Sequence, residues 1–427
     1  MQISPSAKLI GFCAVLLLMS NHPTVAATPG NIRGSGPELD RNLPDEFQRL
    51  QLGDIAPDFD LIGVDDQNYQ LVDFAEFPYL LVVFLSNHCP YSHAAESRMI
   101  PWINQMRERG LGVVSIQPNH PDAITVDELG YSKYNDSFEE MKLYVKENNF
   151  TFPYLYDGED QQVTQNYGAL ATPDLFLFDS ERRLRYSGRF DDSRFAGPEG
   201  VTHHDAKNAF ADLLAGRPVE VPTTRPMGCA VKWLSKVSKA NDANESAAWD
   251  HEPIAITPID AVGVADLAAN RSNKFRLINL WATWCAPCVA EFPELTKLSR
   301  RLKKRDFEFI SISMDEPGHE ARALQFLQRQ HAGMPTRIAN SLKAEGRTTN
   351  NYIFTENGQD ALAAALGAGW LGPIPYTVLI APGGRIVWQH NGEVDPVELG
   401  RILLDELGGY YPVEGQQAPV LPWEESQ

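Results

Sequence analysis

The chain has 427 residues, too many for one ordinary core, so two domains with extensions are expected. Hydrophobic residues make up 43% and aromatics 10%, a globular composition. The formal net charge of −19 argues against nucleic acid as a partner, because phosphate binding needs clustered Lys and Arg.

Residues 1–27 read as an export signal peptide. Lys8 gives a short positive start, and Leu9–Met19 is an apolar run too short to span the ~30 Å of a bilayer core. Val25-Ala26-Ala27 then offers small residues for cleavage. An uncleaved membrane anchor is the alternative reading. Phe12 stands before Cys13 where a lipid-attachment motif has a small residue, and no later segment is apolar enough to span a membrane. The expected location is periplasmic or otherwise exported. Loss of the signal leaves Cys89, Cys229, Cys285 and Cys288, too few to staple a chain of this size.

After a Gly-, Pro- and Asn-rich lead-in, a first block covers residues 50–233. Tyr79–Leu85 is a continuous apolar run, as in a buried parallel strand, and a helix follows Cys89. Leu111–Gln117 reads as a strand, and Asp136-Ser137-Phe138-Glu139 as a capped helix start with Asp136 as the cap. Thr172-Pro173 precedes strands Leu175–Asp179 and Leu184–Gly188 and a helix near Asp205–Ala215. Residues 235–252 are polar and lack apolar period, which marks a linker.

A second block, residues 253–410, repeats this order. Phe275–Trp281 is a strand, a helix runs from Cys285 to about Arg305, and strand Phe307–Asp315 and helix His319–His331 follow. Ile374-Pro375 then precedes strand Tyr376–Ala381, a Gly383-Gly384 turn, strand Arg385–His390 and helix Pro396–Leu407. Residues 411–427 form a tail. Two copies of one alternating pattern make this an α/β chain of two tandem domains, each a central mixed β-sheet flanked by helices.

Cys285-Ala286-Pro287-Cys288 sits at a strand-to-helix junction. Unpaired N–H groups and the macrodipole at a helix N-terminus favour an anion, so the Cys285 thiolate is expected to be stabilised there. Two intervening residues put Cys288 one turn away, within reach of a mixed disulfide on Cys285. Pro287 falls in the first turn, where its missing N–H costs nothing. A zinc knuckle would need a second ligand pair, and none is evident, so no metal is expected. A four-residue loop gives a purely structural disulfide little entropic gain.

Leu280-Trp281-Ala282-Thr283-Trp284-Cys285-Ala286-Pro287-Cys288, followed by Glu291, Pro293 and Leu295, resembles exported thiol–disulfide oxidoreductases of the TlpA/ResA type, which have the thioredoxin fold. By that resemblance Pro375 is the cis-proline that faces the dithiol, and Glu291 is an acidic group aiding proton transfer. An exposed helix carboxylate is the plain alternative for Glu291. The stretch Asn340–Gly372 is longer than a minimal domain needs; its Asp360–Leu366 part looks helical, and the whole stretch is a candidate for shaping partner choice.

The first block resembles another thioredoxin-like branch, the redoxin or AhpC/TSA-like group. The markers are Asn87-His88-Cys89-Pro90-Tyr91, Phe152-Pro153-Tyr154-Leu155, Thr172-Pro173-Asp174-Leu175, Gly188-Arg189-Phe190-Asp191-Asp192-Ser193-Arg194 and Gly228-Cys229-Ala230-Val231-Lys232-Trp233. Relatives of this group often place a cysteine where Ser86 stands, and Ser92 stands where a C-x-x-C partner would be. Three readings stay open. Cys89 is a lone nucleophile, with a hydrogen bond from the Ser92 hydroxyl and with Cys229 as a candidate resolving cysteine. Alternatively it is the peroxidatic cysteine of a thiol peroxidase, against which Val82 and Ser86 stand where a Pro and a Thr belong. Or the domain is a redox-inactive docking scaffold. His88 is either a support for the thiolate or a solvated loop residue, His203-His204 a helix start rather than a metal pair, and Asp191–Arg194 a turn with local ion pairs.

The resulting expectation is an exported thiol–disulfide oxidoreductase, with Cys285, Cys288, Pro375, Glu291 and Cys89 as site residues. No G-x-G-x-x-G follows a strand with dinucleotide spacing, so neither a bound nucleotide nor another cofactor is expected. Expected partners are disulfide-containing or thiol proteins, with a membrane electron donor as a further candidate.

Overall fold

Two apolar runs, Leu80–Phe84 and Leu277–Trp281, are wholly buried, and each becomes the central strand of a sheet. A computed structural model describes residues 39, 43–237, 249, 252–356, 359–367 and 369–407. The predicted signal, most of the predicted linker and the predicted tail lie outside the described residues.

In the first block a hairpin of β1 (Asp60–Ile62) and β2 (Asn68–Gln70) precedes β3 (Tyr79–Phe84). Then come α1 (Pro90–Arg107), β4 (Leu111–Gln117), α2 (Phe138–Glu147), β5 (Tyr154–Tyr156) and α3 (Gln162–Tyr167). Next are β6 (Ala171–Thr172), β7 (Asp174–Phe178), β8 (Leu184–Gly188), α4 (Asp205–Leu214) and β9 (Cys229–Ala230). The main sheet has the order β5-β4-β3-β7-β8. β3, β4 and β5 run parallel, whereas β7 and β8 are antiparallel additions.

The second block holds β10 (Thr257–Ile259), α5 (Ala261–Ala268), β11 (Phe275–Trp281), α6 (Ala286–Arg301), β12 (Phe307–Ser313), α7 (Glu320–Arg329) and α8 (Thr336–Ala344). It continues with β13 (Asn351–Phe354), α9 (Gln359–Leu366), β14 (Tyr376–Ile380), β15 (Ile386–Asn391) and α10 (Pro396–Leu407). Its sheet order, β10-β13-β12-β11-β14-β15, is that of the first domain with one parallel strand added at the edge. Each sheet is therefore mixed and has apolar clusters on both faces, Leu81 and Val83 on one side of β3 and Leu80 and Val82 on the other.

Several sequence expectations need correction. Asp136 does not cap α2. Ser137 does, accepting from the Glu140 N–H at 3.4 Å, while the Asp136 carboxylate turns inward. The predicted local ion pairs of Asp191–Arg194 are in part long-range: Asp191 takes Arg98 Nε and Nη2 at 2.7 Å each, across 93 residues of sequence. The 340–372 stretch, read as longer than a minimal domain needs and helical at 360–366, holds that helix as α9 but also supplies β13, an interior strand between β10 and β12. Four residues of strand carry too little pattern to be seen in sequence. The helix after Cys285 also stops at Arg301 rather than near Arg305.

The C-terminal end of α6 meets the loop 127–133 of the first domain. Arg301 donates from Nε to the Leu129 carbonyl at 2.8 Å and from Nη2 to the Ser132 carbonyl at 2.7 Å. Arg305 Nη1 donates to the Gly130 carbonyl at 2.8 Å, and Lys304 pairs with Asp127 at 2.6 Å. A Cβ on Gly130 would lie 2.3 Å from the Arg301 carbonyl oxygen, so only glycine permits this approach.

Candidate functional site

The second domain presents Cys285, itself in an extended conformation, as the N-cap of α6, with Pro287 in the first turn. Cys285 and Cys288 are joined by a disulfide. The Cys288 N–H points at the Cys285 sulfur from 3.3 Å, the helix-end donor expected to stabilise an anion there. The turn before Cys285 is fixed by Asp315, which accepts from the Thr283 hydroxyl at 2.6 Å and from the Thr283 N–H. Ile374-Pro375 is a cis peptide, and the Ile374 carbonyl lies 3.7 Å from the Cys285 sulfur. Cys288 is fully buried among Trp281, Phe292 and Phe326, and Cys285 nearly so.

Glu291 is not an exposed helix carboxylate. It is 4% exposed and lies one turn beyond Cys288. Its Oε1 accepts from Asn279 Nδ2 and its Oε2 from the Val394 N–H, both at 2.9 Å. Burial pushes its pKa up to about 7 in spite of these two hydrogen bonds. Asn279, held also to the Thr377 hydroxyl, gave no signal in the sequence beyond being a polar residue in an apolar strand.

The first domain reproduces this arrangement with different residues. Cys89 is the N-cap of α1, ahead of Pro90. Thr172-Pro173 is a second cis peptide, in the same place before an apolar strand as Ile374-Pro375. The Cys89 thiol donates to the Thr172 carbonyl at 3.0 Å. Ser92 does not offer its hydroxyl to the sulfur: that oxygen accepts from the Ser86 N–H at 3.3 Å, and it is the Ser92 backbone N–H that serves Cys89. Cys229 is brought to Cys89 by β9, which pairs antiparallel with β6 so that Cys229 stands opposite Thr172. Both sulfurs are free thiols in hydrogen-bonding contact.

Their protons are held unequally. Burial raises the Cys89 pKa, but the Cys229 thiol, the neighbouring His88 and the Ser92 N–H bring it down to about 6. The same contact and burial push Cys229 well above the ordinary thiol range. His88 is buried, not solvated. Its Nδ1 lies 2.7 Å from Asp136 Oδ2, and its N–H donates to Asp136 Oδ1 at 3.1 Å. Burial lowers the proton affinity of His88, yet the adjacent Asp136 carboxylate outweighs it and the pKa is raised; Asp136 itself is lowered, its burial outweighed by His88. Ser86 and Asn119 donate to the same carboxylate at 2.9 and 2.6 Å. Sequence reasoning missed Asp136 and Asn119 as site residues, since nothing local links them to Cys89.

The two sites sit toward opposite ends of α6. Its 16 residues rise about 24 Å from the Cys285 cap to Arg301. The loop held by Arg301 includes Tyr131, which, like Cys229, packs on the cluster of Cys89, Tyr91 and Ala94. Elsewhere, His203 Nδ1 lies 2.9 Å from Asp192 Oδ2, and His204 stands at the N-cap position of α4 without a side-chain cap. Among the described residues no group of His, Cys, Asp and Glu is placed to hold a metal ion, and no helix is long and apolar enough to cross a membrane.

Residues 52–187 match the AhpC/TSA family and residues 263–401 match the Redoxin family. The chain thus carries two redoxin/AhpC-TSA domains in tandem, each with a thioredoxin-like fold. Among curated relatives, "Thiol-disulfide oxidoreductase ResA" of Oceanobacillus iheyensis is 28% identical over 138 residues, which is 32% of this chain and 56% of that protein. "Thiol:disulfide interchange protein DsbE homolog" of Paracoccus denitrificans is 32% identical over 137 residues, 32% of this chain and 62% of that protein. The chain therefore spans little more than half the length of these relatives. A solved structure of a hypothetical protein from Sinorhizobium meliloti 1021 is 34% identical, covering 44% of this chain and 98% of that one at a TM-score of 0.39.

Proposed function

We propose that this chain is an exported thiol–disulfide oxidoreductase that works on disulfides of partner proteins through Cys285 and Cys288. The observation that carries the reading is the pair itself: a disulfide at a helix N-cap, with the cis-Pro375 loop facing Cys285. Trp284 and Leu371, 63% and 77% exposed, flank the motif and the loop and offer apolar surface to a partner chain.

In the reducing direction, the Cys285 thiolate attacks a partner disulfide and forms a mixed disulfide, and one partner sulfur leaves as a thiolate. Cys288 then gives up its proton and attacks the Cys285 sulfur. This closes the Cys285–Cys288 bond and releases the second partner thiolate. Glu291, with a pKa near neutrality, is the group that takes the Cys288 proton. Pro375 shapes the loop that receives the partner strand. The reverse sequence oxidises a partner dithiol. Names of relatives that refer to thiol–disulfide oxidoreduction and interchange agree with this chemistry.

The test is insulin-disulfide reduction by the full chain. Cys285→Ser is expected to abolish it. Activity retained in that variant would refute the assignment of the reaction to Cys285 and leave the second domain as a binding scaffold.

A further inference from the structure

The segment after α4 crosses the mouth of the first site and is anchored there. Lys232 donates its N–H to Asn119 Oδ1 at 2.8 Å, and its carbonyl accepts from Gln161 Nε2 at 2.8 Å and the His120 N–H at 3.1 Å. Val231 donates to the Leu170 carbonyl at 3.2 Å, and Trp233 is buried edge-on against Phe47. Asn119 in turn holds Asp136, which holds His88 beside Cys89. One residue before Cys229, a Cβ on Gly228 would lie 2.1 Å from the Thr172 carbonyl oxygen. That oxygen also accepts the Cys89 thiol, so glycine at 228 is what lets the second cysteine come in against the first. Five anchoring contacts and a close-approach glycine converge on one result, two thiols in contact.

We propose that Cys89 and Cys229 are a second redox couple, cycling between the dithiol seen here and an intramolecular disulfide, and exchanging with a dithiol partner through the Cys229 sulfur. Access sets the direction of attack. Cys89 is wholly buried, whereas Cys229 is half-buried. In the oxidised form an incoming partner thiolate bonds to the Cys229 sulfur. The Cys89–Cys229 bond breaks, and its electron pair leaves on Cys89. Cys89 is suited to that role, because the His88 and Ser92 contacts stabilise its thiolate, and a more stable thiolate leaves faster. The partner's second thiol loses its proton, attacks the mixed disulfide and frees Cys229, which takes up a proton. Two electrons pass from the partner dithiol to the pair; in reverse, a partner disulfide oxidises it. The chain then has two independent couples, and their placement toward opposite ends of α6 keeps them from exchanging directly with one another.

The full chain is equilibrated across dithiothreitol redox buffers, quenched in acid, unfolded, alkylated and mapped by mass spectrometry. Cys89 and Cys229 are expected to change state together, with a cross-linked Cys89–Cys229 peptide at the oxidising end. The Cys285→Ser/Cys288→Ser double variant is expected to keep this transition. If both thiols stay reduced at every potential while Cys285 and Cys288 titrate, the second couple is overturned and the function proposed above stands. Gly228→Ala gives an independent reading: cross-link formation slows at least tenfold, with the Cys285–Cys288 transition unmoved and the far-ultraviolet dichroism preserved. An unchanged rate in that variant refutes the positioning role of Gly228.

Discussion

Glu291→Gln separates the cost of burying a carboxylate from the rest of the second domain's stability. The carboxyl pKa rises from an ordinary 4.5 to about 7 in the folded chain, chiefly through burial. At about 1.4 kcal/mol for each tenfold change in proton affinity, that rise is on the order of 3 kcal/mol. The sign follows from proton binding. The folded state holds this proton more tightly than the unfolded state does. Below pH 4.5 the group is protonated in both states and costs nothing. As pH rises from 4.5 toward 7 the unfolded chain gives up the proton while the folded domain keeps it, and stability falls by about 3 kcal/mol, remaining lower above that. The substitution removes this dependence. It also turns one of two donors, Asn279 Nδ2 or the Val394 N–H, against an amide N–H₂, a fixed offset at all pH values. Asn279 Oδ1 has no hydrogen-bond partner, so a flip of that side chain supplies the missing acceptor. Amide hydrogen exchange at Leu277 and Ile278 in β11 reads the opening free energy of this domain alone, with Cys285–Cys288 kept oxidised. The variant-minus-wild-type difference is expected to move by about 3 kcal/mol in favour of the variant from pH 4 to pH 8. A difference constant to within about 1 kcal/mol would show that Glu291 is not a perturbed acid.

Other outcomes follow from particular contacts. Arg98→Met strands the buried Asp191 carboxylate, which now takes two 2.7 Å hydrogen bonds, and is expected to cost the first domain about 3–5 kcal/mol in thermal unfolding; a loss under about 1 kcal/mol contradicts the buried pair. Arg301→Ala removes two charged hydrogen bonds to the 129–132 backbone, each worth roughly 1.5–3 kcal/mol. Proteolysis within that loop is expected to accelerate at least tenfold while insulin reduction holds, and unaltered cleavage argues that the loop is secured elsewhere. Cys89→Ser is expected to leave insulin reduction by Cys285 within twofold of wild type, since α6 keeps the two sites apart; a collapse would point to electron transfer between the domains.

The sequence was most legible where a signal is local. Strands Phe275–Trp281 and Leu184–Gly188 and helix Pro396–Leu407 stand where their apolar runs and turn residues place them, and both X-Pro positions precede the strands expected. Short elements escaped. β13, β10 and the two residues of β9 carry no period of their own and exist because neighbouring strands leave an edge to pair with. The polar residues of the sites escaped for the same reason. Asp136 reads as a helix cap from its neighbours, and only the fold shows His88, Ser86 and Asn119 gathered on its carboxylate across up to 50 residues of chain.

By itself the sequence determined the repeated α/β order, the dithiol at Cys285 and Cys288, and the absence of its counterpart beside Cys89. These depend on spacing along one strand or one helical turn, which a chain cannot disguise. Tertiary structure alone decided that Cys229, far along the chain from Cys89, is drawn against it by a two-residue strand pairing. It also decided that Glu291 is buried, and that one helix keeps the two cysteine pairs apart. Burial and long-range contact set proton affinity and reach, and neither is written in the residues that experience them.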